Sequence, residues 1–227
     1  MPVSINKSTD IGVFFRKIEK KYLFLFDWDD TLYPRTFLSK NGYYPSKKEI
    51  PINVLNKLKL LEGIILDMFQ NISLFGNVVI ISNSDRDWIN ITCKLFMPSL
   101  FVFIRKNVLY LSAKNLYDTS YPGEPILWKA QTMKHVLKKF YGEEKNKYVI
   151  SVGDSIIEYT AIKSVSKLLD IHSVTTVKFI EILSLNQLRS QLLQLKDDID
   201  KHHTKMSVNC KIPNKFKRTD TNRSSKN

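Results

Sequence analysis

Five short apolar runs, each followed by a longer amphipathic stretch, constrain this chain more than any other feature. They are Lys21 to Asp27, Asn77 to Asn83, Val108 to Leu111, Tyr148 to Asp154 and Val174 to Ile182. Runs of this length, solid with Val, Ile, Leu and Phe, suit strands buried on both faces. Between them, apolar residues recur at three-and-four spacing, as in Val54, Leu55, Leu58, Leu61, Ile64, Ile65, Met68, Phe69 and Ile72. That spacing gives a helix one apolar stripe. Further helices are expected over 87–96, 127–140 and 156–169, and from the Leu185, Leu188, Leu192, Leu195 and Ile199 stripe. The last stripe fits packing on the sheet better than a coiled-coil seam, because two heptads are too few for a seam. Strand and helix in alternation mean an α/β fold. The expected form is three-layered and Rossmann-like, an open parallel sheet with helices on both faces.

A chain of 227 residues with 43% apolar content can build one such core. Three segments are expected: an N-terminal extension over 1–20, the α/β domain over 21–200, and a basic tail over 201–227 that reads as disordered. The net charge is +13, yet the tail alone holds eight Lys or Arg and one Asp. The rest of the chain is only mildly basic. Such a tail suits a nucleic acid or another polyanionic partner, and a merely solvated tail equally well. Phe216 is its one Phe, Tyr or Trp, which argues against base stacking along it. No run approaches the roughly 18 apolar residues of a membrane span, and no leader pattern opens the chain, so no membrane partner is expected. Cys93 and Cys210 are too few for a disulfide framework. The expected location is cytoplasmic or nuclear.

Ligands of open α/β sheets bind beyond the carboxyl ends of the strands. The polar residues gather at those ends: Asp27, Ser82 and Asp154. The first run enters Asp27-Trp28-Asp29-Asp30-Thr31, three carboxylates within four residues. Their mutual repulsion costs free energy that a divalent cation would offset, and oxygen donors suit Mg²⁺. A turn or a helix cap would use the same residue types. The histidines form no metal site: His202 and His203 fall in the tail, His135 sits mid-helix and His172 stands alone.

These residues resemble the haloacid dehalogenase-like (HAD-like) superfamily of phosphohydrolases. Its first motif, an apolar strand then Asp-x-Asp-x-Thr, is matched by Asp27 to Thr31. Its second, a strand ending in Ser or Thr, is matched by Val78 to Asn83. The third, a Lys early in a helix, fits Lys129. The fourth, Gly-Asp with a later acid, fits Gly153, Asp154 and Glu158, with Glu where Asp is commoner. The resemblance spans roughly residues 20–200 and implies a strand order with the first strand central, the second and third to one side and the fourth and fifth to the other.

It implies roles as well. Asp27 would be the nucleophile that becomes an aspartyl-phosphate, and Asp29 the acid that protonates the leaving oxygen and then activates water. That second task asks for a raised pKa, which neighbouring acids can supply. Asp27, Asp154 and the backbone carbonyl of Asp29 would hold Mg²⁺. Ser82, Asn83 through its N–H, and Lys129 would bind the phosphoryl group. Glu158 would support Lys129 or the metal's waters. Thr31 and Asp30 rank below these, either one able to orient the turn, as the Thr usually does in the superfamily, and Asp85, Arg86 and Asp87 fit a helix cap better than a site.

Cap domains in this superfamily enter after the first motif or before the Lys. Here the first slot, Tyr33 to Gly76, spends about half its length on a required helix. That leaves Tyr33 to Pro51 as a polar and aromatic flap. The second slot, Lys114 to Leu127, is shorter still. Little or no cap domain is expected, and an open site suits a large phosphorylated substrate such as a phosphoprotein or a nucleic-acid end. Three other readings stay open: a catalytically silent binding or regulatory protein, a nucleic-acid-associated protein acting through its tail, and attack on carbon in place of phosphorus.

Overall fold

The computed structural model describes residues 22–45, 48–141, 148–171, 173–181 and 184–206. The expected extension, His172, the end of the fifth run at Ile182, Cys210 and residues 207–227 lie outside these, as do the side chains of His202 and His203.

Five parallel strands form one sheet: β1 Tyr22–Phe26, β2 Gly76–Ser82, β3 Leu109–Ser112, β4 Tyr148–Gly153 and β5 Val174–Lys178. Their order is β3-β2-β1-β4-β5, as the resemblance implies. Tyr22 sits level with Gly76 on one side and Tyr148 on the other. The central position of β1 explains its sequence. Alternate residues of a strand face opposite ways, and both faces of β1 are covered. Phe24 and Phe26 join Val78, Ile80, Ile150 and Val152 in one core. Leu23 and Leu25 join Val79, Ile81 and Val149 in the other. Each such side chain stabilises the fold by roughly 1.5–3 kcal/mol on full burial.

Helices cover both faces and make three layers. On the first face lie α2 (Ile52–Ile72), α3 (Arg86–Phe96), α4 (Pro98–Asn107) and α8 (Leu185–Met206). On the second lie α5 (Ala113–Tyr117), α6 (Pro125–Tyr141) and α7 (Ile156–Leu168). A short helix, α1 (Arg35–Lys40), follows β1. The stripe on α8 is buried at Leu185, Leu188, Leu192, Leu195 and Ile199. It packs alongside α2 within the first layer, and α8 continues to Met206, six residues into the segment assigned to the tail.

Helices α1, α4 and α5 have no counterpart among the expected helices. In α4, Phe101, Val102 and Phe103 stay partly or well exposed, so its apolar residues do not draw one clean stripe. Its start is fixed from outside: buried Glu62 on α2 accepts from the backbone N–H of Ser99 (2.6 Å) and Leu100 (3.0 Å). A carboxylate there meets the positive end of the helix and its unpaired donors. β5 ends at Lys178, short of the expected run, and Lys178 turns its ammonium onto the backbone carbonyl of Asp154 (2.8 Å).

Neither slot holds a folded cap among the described residues. The first forms a flap pinned by aromatic contacts. Trp28 stacks on Tyr33 at 5.9 Å, and Tyr44 meets Trp88 at 5.5 Å and Phe96 at 5.7 Å. No described helix is long and apolar enough to cross a membrane.

Candidate functional site

The sheet reverses direction at β1: the chain runs outward through β2 and β3, then returns to β4 on the other side. Ligands in such sheets sit at this switch point, beyond the carboxyl ends of the strands. Asp27 is the first residue past β1. Its N–H still donates to the carbonyl of Val152 (2.9 Å), so the adjacent strand fixes its backbone.

The Asp27 side chain is almost fully buried and forms an ion pair with Lys129. Lys129, on the second turn of α6, is 1% exposed and also donates to Glu158 on α7 (2.6 Å). One ammonium therefore serves two buried carboxylates. Burial pushes the Asp27 carboxyl up to about 8, Lys129 opposes this, and Glu158 adds to it. Burial would lower the lysine, but the two carboxylates outweigh it and hold it above the usual range. Burial would raise Glu158, but Lys129 holds it below.

Glu158 reaches Lys129 from a capping box at the start of α7. Ser155 accepts from the N–H of Ile157, and Glu158 accepts from the N–H and hydroxyl of Ser155. The Ser-x-x-Glu spacing is a sequence signature of such a box. Gly153 is needed beside it. A Cβ built there would lie 2.5 Å from Glu158 Cγ and 2.8 Å from its Oε2.

Asp154 follows β4 as Asp27 follows β1. Burial pushes its carboxyl up to about 6, with Glu158 and Asp30 adding repulsion. Fully buried Thr31 donates to it at 3.4 Å. Asp30 adopts a left-handed backbone, φ 56°, which Asp tolerates better than most residues. Its carboxylate takes the N–H (2.8 Å) and hydroxyl of Thr36, tying the acidic loop to α1.

At the end of β2, buried Ser82 accepts from the N–H of Ser84 (3.0 Å). That leaves the Ser82 hydroxyl hydrogen without an acceptor among the described residues. Asn83 donates through its side chain to the carbonyl of Pro125 (3.2 Å). It thereby pins the end of β2 to the start of the helix that carries Lys129. Asp85 takes the cap position of α3 without bonding the helix through its side chain. It pairs instead with Lys114 at 3.5 Å.

Asp29 lies two residues past Asp27 in the same loop. Its carboxylate accepts from Trp88 Nε1 (2.7 Å), Ser84 Oγ (2.6 Å) and Arg35 Nη1 (3.2 Å). Every contact is a donor. Sequence reasoning does not find Trp88, Ser84, Arg35 or Lys178. Nothing in a linear pattern separates an indole aimed at a carboxylate from one in a core. Only Ser84, the residue directly after the second motif, stands near a signal.

No group of three or more His, Cys, Asp or Glu is arranged around a common metal position among the described residues. The set expected for Mg²⁺ needs only two carboxylates and one backbone carbonyl. Asp27 and Asp154 are hard oxygen donors, and burial leaves the charge of both poorly offset. Those donors fit the ion.

No family model matches the chain, and no curated protein matches it. Among solved structures, it is similar to the HAD domain of the effector protein Lem4 from Legionella pneumophila, an inactive mutant. The identity is 13% and the TM-score 0.41, over 81% of this chain and 98% of that one.

Proposed function

We propose that this chain is a Mg²⁺-dependent phosphohydrolase working through an aspartyl-phosphate on Asp27. The observation that carries the reading is the buried Asp27–Lys129–Glu158 trio at the switch point of the sheet. A lysine buried between two acids is costly to build for stability alone. A nucleophile that must meet a phosphate dianion needs such a cation beside it.

In the proposed reaction an Asp27 oxygen forms a bond to phosphorus while the bond to the ester oxygen breaks. Asp29 delivers a proton to that leaving oxygen. Water then attacks phosphorus, Asp29 takes its proton, and the acyl-phosphate bond breaks to return the Asp27 carboxylate and free phosphate. Lys129 stays charged throughout and offsets charge on the phosphoryl oxygens, with Ser82 donating its hydroxyl to one of them. Asp27, Asp154 and the Asp29 carbonyl would hold Mg²⁺, which supplies further charge stabilisation when bound.

The flap supports a reading of the substrate class. Tyr33, Tyr44 and Trp88 pin it down as part of the wall, and no cap stands above the strand ends among the described residues. A large substrate, a phosphoprotein or a nucleic-acid end, would itself cover the site.

The purified chain should release phosphate from an aryl phosphate only with Mg²⁺, and Asp27→Asn should abolish this. Beryllofluoride with Mg²⁺ should raise its melting temperature, and Asp154→Asn should remove that rise. A chain with neither turnover nor a shift is not a phosphohydrolase.

A further inference from the structure

Asp29 is held by donors from three separate parts of the chain. Ser84 belongs to the loop after β2, Trp88 to α3 and Arg35 to the flap helix. Their strengths differ. Trp88 and Ser84 sit at 2.7 and 2.6 Å and are partly buried, whereas Arg35 sits at 3.2 Å with its side chain half exposed. The first two are also fixed from behind. The Trp88 ring meets Tyr33 edge-on at 6.1 Å and Tyr44 at 5.5 Å. The Ser84 backbone bonds Ser82 Oγ through its N–H (3.0 Å) and Ser112 Oγ through its carbonyl (2.7 Å). Arg35 lies over the Trp88 ring at 4.8 Å.

Packing explains where the Trp88 ring lies but not what its N–H meets. The indoles of Trp28 and Trp128 donate to a neutral hydroxyl, Thr92 Oγ1, and a backbone carbonyl, that of Tyr121. Among the three, Trp88 alone is given an acidic side chain as its acceptor. A carboxylate offers about four acceptor positions, and three are taken here. The two rigid donors set the plane of the group and leave one position open.

We infer that Trp88 and Ser84 are positioning residues that orient Asp29, so that its remaining position holds the proton given to the leaving oxygen and then accepts one from the attacking water. This rests on the phosphohydrolase reading, and it adds a specific consequence. A leaving group that departs readily needs no proton, whereas a poor one does. Loss of Asp29 orientation should therefore lower kcat/KM, which reports attack on the ester, only with the poor one, whereas the hydrolysis of the aspartyl-phosphate that follows is shared by both.

The test compares the full chain with Trp88→Phe, Ser84→Ala and Asp29→Asn, using p-nitrophenyl phosphate and a simple alkyl phosphate with Mg²⁺. Trp88→Phe keeps an aromatic ring but removes the donor. Its kcat/KM on the alkyl ester should fall by about tenfold to a hundredfold. On the nitrophenyl ester kcat/KM should change little while kcat falls with the shared second step, a weaker copy of Asp29→Asn. Ser84→Ala, which leaves the ring packing intact, should repeat the pattern.

A second readout needs no turnover. Of the three indole N–H signals in a proton–nitrogen NMR spectrum, the one missing in Trp88→Phe should move furthest upfield in Asp29→Ala. Equal losses of kcat/KM on both esters in both variants, with wild-type turnover intact, overturn the positioning role. So does a Trp88 signal that stays put in Asp29→Ala. Absence of wild-type turnover on every ester overturns the functional reading itself, and the positioning role with it.

Discussion

At the scale of single residues, the energetic centre is Lys129. It is buried with Asp27 and Glu158. Replacing it with Met would leave two buried carboxylates without a counter-charge. Breaking a buried pair in this way costs about 3–5 kcal/mol, so Lys129→Met should shift the denaturant midpoint down far more than Glu158→Gln. The latter leaves Lys129 with Asp27 as a partner. A Lys129→Met chain as stable as the wild type would show that the trio is not closed as described. Gly153 gives a finer probe of the same contact. A methyl group at residue 153 must push the Glu158 stem away from its cap and from Lys129. Overpacking of this kind costs typically about 1–3 kcal/mol, so Gly153→Ala should lower the melting temperature and weaken turnover together. Much of this centre was legible in the sequence, because Asp27, Ser82 and Asp154 each close an apolar run. The partner of Glu158 was legible only as one of two options. The bracket around Asp29 was not legible, since Trp88 lies 59 positions away and its indole looks like any core side chain.

At the scale of elements, the strands were easier to read than the helices, for a physical reason. Strands buried on both faces must be apolar at every position, which leaves an unbroken run. A helix shows only a stripe, and a short helix shows too little of one. That is why α2, with 21 residues, stands out in the sequence while α1, α4 and α5 do not. Helix α4 illustrates what replaces the missing stripe. Pro98 stands at its first turn, and Glu62 caps its N-terminus from another helix. Glu62→Ala should therefore destabilise the fold by about 0.5–2 kcal/mol, the range for a lost helix cap, although no apolar contact is removed. Glu62→Gln keeps one acceptor and should recover part of the loss. Equal melting temperatures for all three chains would mean that α4 is held by Leu100 and Ile104 alone.

At the scale of the whole molecule, the layer opposite α6 and α7 is closed by the last described helix. Without α8, the face built from Phe24, Phe26, Ile150 and Val152 would lose the side chains of Leu188, Leu192, Leu195 and Ile199 from its core. Helix α2 would lose its neighbour as well. The strands that carry Asp27 and Asp154 are β1 and β4, and among the described residues α8 makes no hydrogen bond or ion pair to either acid. Stability and chemistry should then separate. Leu192 is fully buried, and Leu192→Ala should cost about 2–5 kcal/mol, the usual range for a Leu truncated in a core. The exposed neighbour Gln194, replaced by Ala, should stay within about 0.5 kcal/mol of the wild type. In both variants kcat per folded molecule, taken well below the melting transition, should equal that of the wild type. The acids are fixed by β1, β4 and Lys129, and none of these changes. A Leu192→Ala chain that stays fully folded yet loses turnover would mean that α8 sets the geometry of the strand ends, and that the layer is part of the site.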